Sequence, residues 1–160
     1  MFLENTFIGG RHMKALTIWQ PWASLLVSGQ KQYETRSWAT SYRGPIAIHA
    51  AKRPVRRTIG TLDAGSSLLE RLKSLFSRRE ELELLPHGAI IGTAILEHCH
   101  LIDEAFIAKL SPQELDLGDF TPGRYAWEFS HMTIVAPSIP ARGAQGLWTL
   151  DGIPWRIHYE

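Results

Sequence analysis

A series of short apolar runs, each closed off by glycine, proline or a polar turn, constrains this chain more than any other feature. KALTIW (14–19), QYETRSW (32–38), IAIHA (46–50), RYAWEF (124–129), MTIVAPSI (132–139) and GLWTL (146–150) are too short for stable helices. They are rich in β-branched and aromatic residues, so they are expected as strands. GAIIGTAILEHCHLI (88–102) is a longer strand whose two glycines suggest bends or bulges. Helical signals are fewer. Pro21 suits a first helical turn and Gly29 a left-handed stop, which predicts a short helix over 20–28. Apolar residues at 68, 69, 72, 75, 76, 82 and 85 among charged ones predict one amphipathic helix over 66–85, and DEAFIAKL a short one. The expected class is therefore α+β, a small mixed or antiparallel β-barrel of about six strands with flanking helices.

At 160 residues the chain suits one domain with its own core, and 44% hydrophobic with 21% charged residues excludes a disordered or collagen-like chain. The domain is placed at 13–151, with 1–12 as an extension and 152–160 as a tail. The single cysteine, Cys99, allows no intramolecular disulfide and no multi-cysteine zinc site. No apolar stretch reaches the roughly 18 residues of a spanning helix, and MFLENTFIGG lacks the pattern of a secretion signal. A cytoplasmic protein with no membrane partner is expected. The net charge of +1 conceals segregation: residues 31–57 hold seven of the 17 Lys and Arg but one acid, Glu34. A concentrated basic face attracts phosphates even on a nearly neutral protein.

That segment also contains the densest polar constellation. In a strand over 32–38, Glu34, Arg36 and Trp38 share one face, and Tyr33 and Thr35 the other. Lys31 has the wrong parity and joins the first face only if the chain still turns between Gly29 and Gln32. A pocket with Lys31 and Arg36 around Glu34 would keep the carboxylate ionised and offer a ligand both donors and an acceptor; a structural ion pair has the same sequence.

The stretch resembles the signature of the ASCH domain family, G-x-K-x-x-E-x-R, with Gly29, Lys31, Glu34 and Arg36 in its places. WQPWASLLVSG before it and YRGPIAIHAAK, GAIIGTA, RYAWEF and GLWTL after it are similar in the same order, from Met13 to about Asp151. The resemblance implies a PUA-like β-barrel with a cleft lined by the signature residues, and RNA or another nucleic acid, or a modified nucleoside, as partner. It also implies two possible activities, N4-acetylcytidine amidohydrolase and ribonuclease. The amidohydrolase type uses a lysine, a threonine and a distant glutamate; Lys31 matches the lysine, Glu34 stands where the threonine belongs, and Thr35 beside it faces the other way. Glu97 and Glu128 are the candidates for the distant glutamate.

On this reading Lys31 and Glu34 are the catalytic candidates, and Lys31, Glu34, Arg36, Trp38 and Arg43 the ligand-binding set. Trp38 would stack on a base and Arg43, in the turn YRG, would reach a phosphate. Lys52, Arg53, Arg56 and Arg57 form an outer patch of sequence-independent attraction. Trp19 and Trp22 border an apolar helix and are assigned to the core. His98 and His100 share a face opposite Cys99 and do not form a metal set, and His49 is read as a strand-end histidine bonded to backbone. No Walker loop, dinucleotide fingerprint or nucleophile elbow is present, and neither metal nor cofactor is expected. Three functions remain open: a nucleic-acid-binding module, a hydrolase using the same cleft, and a regulatory domain whose 66–85 helix engages proteins.

Overall fold

The computed structural model describes residues 6–7, 12–151 and 156–157. In chain order the elements are β1 (Thr6–Phe7), β2 (His12–Ile18), α1 (Trp22–Val27), β3 (Tyr33–Arg36), β4 (Gly44–Ala50), α2 (Val55–Ile59), α3 (Ser67–Leu75) and α4 (Arg79–Glu83). There follow β5 (Ala89–Leu101), α5 (Glu104–Ala108), α6 (Pro112–Leu117), β6 (Tyr125–Pro140), β7 (Leu147–Asp151) and β8 (Arg156–Ile157). Strands β1 and β8 pair with each other, so parts of the expected extension and tail lie side by side. The rest of both segments, apart from His12 in β2, lies outside the described residues.

Six strands form one mixed sheet in the order β3-β6-β5-β4-β2-β7. Only β2 and β4 run parallel, and the crossover between them carries α1 and β3, as a parallel pair requires. The expected barrel is corrected by this order. A barrel needs its two outer strands bonded to each other. Here β3 pairs with β6 alone and β7 with β2 alone, so the sheet stays open. The positions of the sheet strands were legible in the apolar runs; closure depends on which strands pair.

Both faces of the central strands are covered, which explains their nearly continuous apolar sequences. On one face Leu16, Ile18, Ile46, Ile48, Ile91 and Trp127 pack under Leu26 and Val27 of α1. On the other, Met13, Ala15, Ala47, Ile90 and Leu150 form a second cluster. Gly92 sets how closely α1 can sit: an added Cβ there would lie 2.8 Å from Val27 Cγ2 and 3.1 Å from the Thr133 carbonyl oxygen.

The helix expected over 66–85 is two helices. Ser66 caps α3 by accepting from the Leu69 N–H at 3.2 Å, and the chain becomes extended at Phe76. Leu82 is seven residues after Leu75, roughly 700° of helical rotation, so in an unbroken helix it would continue the stripe of Leu68, Leu72 and Leu75, and periodicity alone does not reveal the break. The break lets Leu72 pack on Leu25 and Leu117 while Leu82 is buried separately in α4. RYAWEF and MTIVAPSI, expected as two strands, are one strand, β6, whose pairing with β5 shifts register three times. Among the described residues no helix is long and apolar enough to cross a membrane.

Candidate functional site

A cavity of about 660 Å³ opens where β2 ends, α1 begins and β3 meets the α6 turn. Its walls include Thr17, Trp19 and Trp22 from the first of these, Lys31, Glu34 and Arg36 from the signature stretch, and residues 115–119 with Arg124 opposite. The parity problem at Lys31 is resolved by the turn: Gly29 has φ +82° and the Lys31 N–H donates to the Leu25 carbonyl at 3.0 Å. Lys31, Glu34 and Arg36 therefore converge on one hollow.

The charged groups around it are paired. Lys31, only 2% exposed, donates through Nζ to the Tyr33 carbonyl oxygen and lies 3.6 Å from Glu114 Oε1. Arg36 Nη2 donates to the Thr17 carbonyl oxygen at 2.8 Å. Its Nε is 2.9 Å from Glu34 Oε1, an ion pair whose angle falls outside a hydrogen bond. Arg124 Nε is 3.4 Å from Asp119 Oδ2, and Asp116 is held by Arg71 at 3.0 Å. Three cations and three carboxylates line the cavity, and its charge balances.

Burial pushes the Lys31 amine below its ordinary range, and the carboxylates of Glu34 and Glu114 oppose that shift without cancelling it. Hydrogen bonding from Thr121 holds Asp119 below the usual carboxylate range, with Arg124 adding to the effect and burial opposing it.

Glu114 was not anticipated. Ser111, Pro112 and Glu114 form a helix start in which Ser111 Oγ accepts from the Glu114 N–H at 3.1 Å. The Glu114 carboxylate turns away from its own helix and accepts from the N–H groups of Gln32 and Tyr33 at 2.9 and 3.0 Å. The capping sequence SPQE was the available signal; its contact with a strand about 80 residues earlier was not. Gly118 completes the enclosure, since an added Cβ would meet Phe120 Cε2 at 2.6 Å and Lys31 Nζ at 3.2 Å.

The structure separates the remaining candidates. Trp38 lies beyond the end of β3 and packs edge-on against buried Trp127, with ring centroids 4.9 Å apart, away from the cavity wall. Trp19, assigned to the core, lines the cavity instead and is 50% exposed, whereas Trp22 packs against the core as expected and lines the cavity as well. Arg43 is exposed and bonded to the carbonyl oxygens of Thr40 and Tyr42 within its own turn. Arg53 lies over the Trp19 ring at 4.3 Å and donates to Thr58 Oγ1. Lys52 borders a second cavity, Arg56 a groove beside α4, and Arg57 is exposed on α2.

Glu97 accepts from Ser130 Oγ, and Glu128 is 2.8 Å from His100 Nε2; neither borders the main cavity. Glu128 borders a smaller cavity of about 250 Å³ that Lys31 also touches. Thr35 reaches the main cavity wall, while Tyr33 beside it packs against Phe106 and Phe120. His49 is buried and bonded to the Ala141 carbonyl oxygen at 2.7 Å and to Thr17 Oγ1 at 3.1 Å. Among the described residues no three His, Cys, Asp or Glu side chains gather in a geometry that could hold a metal ion.

The ASCH domain profile matches residues 16–138. The chain is 31% identical over 147 residues to activating signal cointegrator 1 of Homo sapiens and, at the same identity, to that of Mus musculus. These alignments cover 89% of this chain and 22% of each relative, so the chain spans about a fifth of the curated relatives' length. The crystal structure of ASCH from Zymomonas mobilis aligns over 82% of this chain and 75% of that one, with 19% identity and a TM-score of 0.43. The extent of the profile match and the order of the signature and its flanking strands make this chain a member of the ASCH domain family.

Proposed function

We propose that this ASCH domain, from a family associated with RNA and other nucleic acids, takes one nucleoside of an RNA strand into the cavity at Lys31, Glu34 and Arg36. The observation that carries the reading is the charge-balanced lining beside a half-exposed tryptophan. A volume of about 660 Å³ falls in the range of small-molecule sites. Paired donors and acceptors suit the edge of a base better than a phosphate, which calls for cations without carboxylates. Trp19 supplies a face for stacking, worth roughly 1–3 kcal/mol per base. Glu34 would accept from an amino group on the base and Arg36 would donate to a carbonyl.

Binding of a labelled single-stranded oligoribonucleotide to the wild type and to Arg36→Ala and Trp19→Ala tests this. Each substitution is expected to weaken binding several-fold or more; equal affinity in all three proteins would remove the reading.

A second reading, hydrolysis of an acylated cytidine, is favoured by one observation. Lys31 is a buried amine at the cavity wall whose proton affinity is lowered by desolvation, beside the carboxylate of Glu34. Of the three ammonium N–H groups, one meets the Tyr33 carbonyl and another faces Glu114, which leaves a donor for a developing oxyanion. Glu34 would take a proton from the attacking water and pass it to N4 as the C–N bond breaks, so that cytidine leaves as the neutral amine and acetate remains. Incubation with N4-acetylcytidine should then release cytidine and acetate; no product at high protein concentration would exclude this activity.

A further inference from the structure

A second, larger cavity of about 1010 Å³ shares the Thr17 wall with the first. Its character is different. Lys52 and Arg142 border it, no carboxylate does, and neither cation has an ion-pair or hydrogen-bond partner among the described residues. His87, also in the wall, accepts from the Val55 N–H through Nε2 at 3.3 Å, which puts its own proton on Nδ1, where it is free to donate. The backbone N–H groups of residues 142–145, in the loop along the cavity, meet no acceptor among the described residues. Cations and backbone N–H groups without acceptors of their own are what a phosphate needs.

Trp19 borders the first cavity with the Arg53 guanidinium lying on its ring, and Arg53 is the chain neighbour of Lys52, which borders the second. A base stacked at Trp19 would therefore leave its backbone next to Lys52. We infer that the cavity between Lys52 and Arg142 is a phosphodiester subsite for the same nucleic-acid strand whose nucleoside occupies the first cavity. This rests on the nucleoside reading given above and divides the recognition: the balanced cavity takes a base, and the unpaired cations take the backbone leading to it. The cations expected to act as one diffuse patch thereby acquire separate positions, with Arg142, 85 residues after Arg57 in the chain, joining Lys52.

The test is binding of a labelled single-stranded oligoribonucleotide of about ten nucleotides, measured from about 50 to 200 mM salt. The wild type is compared with Lys52→Ala/Arg142→Ala, and with Arg78→Ala/Lys109→Ala, which removes two exposed cations bordering neither cavity. The first double variant is expected to bind roughly tenfold more weakly at the lower salt. The slope of log affinity against log salt should fall by about 1.4, two contacts at about 0.7 each on a single strand. The control pair should change both much less. If the two double variants lose affinity equally, or if the Lys52/Arg142 pair changes neither quantity while Trp19→Ala still weakens binding, the phosphate subsite is wrong and the nucleoside cavity stands. A wild type that does not bind the strand at all overturns both.

Discussion

Two buried polar networks meet at Thr17, one built on carboxylates and cations and the other on an imidazole, a hydroxyl and a carbonyl. On one side its carbonyl accepts from Arg36, in a cavity bordered by Lys31, whose amine lies 3.6 Å from the Glu114 carboxylate behind it. On the other side its hydroxyl joins a neutral relay. Trp148 can only donate, so Thr17 Oγ1 accepts from Trp148 Nε1 at 3.0 Å; the Ala141 carbonyl can only accept, so the neutral His49 ring donates to it and leaves Nδ1 to accept from the Thr17 hydroxyl. That places the His49 proton on Nε2, bonded to the Ala141 carbonyl oxygen at 2.7 Å. Burial lowers the His49 pKa, and the bond to the Ala141 carbonyl opposes that shift without cancelling it. The lesson is that equal burial does not impose equal chemistry: carboxylates facing the Lys31 amine oppose the loss of its proton, whereas His49 faces only carbonyl and hydroxyl groups and burial favours its neutral ring.

Substitutions that break this contrast should differ in size. The largest loss is expected from Glu114→Gln, which leaves a nearly buried ammonium without its nearest counter-charge. About 3–5 kcal/mol should disappear from the urea unfolding free energy, and adding Lys31→Met should return part of it. An unchanged unfolding midpoint would show the pair to be energetically idle. Next, Gly118→Ala should cost about 1–3 kcal/mol, because the new methyl group crowds the Phe120 ring and the Lys31 amine.

On the neutral side, His49→Leu leaves a hydroxyl and a carbonyl without their ring partner, at about 1–3 kcal/mol. The same residue carries a pH signature. Its folded pKa lies below the unfolded value near 6.5, so between the two the unfolded chain binds more protons. Its contribution should be complete above about pH 6.5 and fall as acid takes the pH down toward the folded pKa. Denaturation midpoints should show this decline in the wild type and a smaller one in His49→Leu; identical pH profiles would mean the ring is not held neutral. The smallest effect belongs to Trp19→Ala, which removes a half-exposed ring and its contact with Arg53 and should alter stability by about 0.5–1 kcal/mol.

The signature stretch was legible because strand parity is local: Glu34 and Arg36 had to share a face, and Gly29 permitted the turn that adds Lys31. Aromatic placement was not. Trp38 and Trp19 exchange their expected roles because the strand ends at Arg36, two residues before Trp38, and because the end of β2 reaches past the sheet to the cavity mouth. Glu114 escaped because its capping sequence explains it fully as a helix start; only the fold brings the start of α6 to the signature strand. The barrel failed for a related reason. Periodicity reports that strands exist and which residues share a face, whereas sheet closure is a long-range fact about the two outermost strands.

Those outermost strands give the Glu114 clamp another meaning. Strand β3 is an open border of the sheet, where unsatisfied N–H groups invite a strand from another molecule. The Glu114 carboxylate already occupies the N–H groups of Gln32 and Tyr33, and the Lys31 amine occupies the Tyr33 carbonyl. Releasing α6 would uncover both N–H groups, so one buried carboxylate also guards the protein against intermolecular β-pairing and, through it, against aggregation.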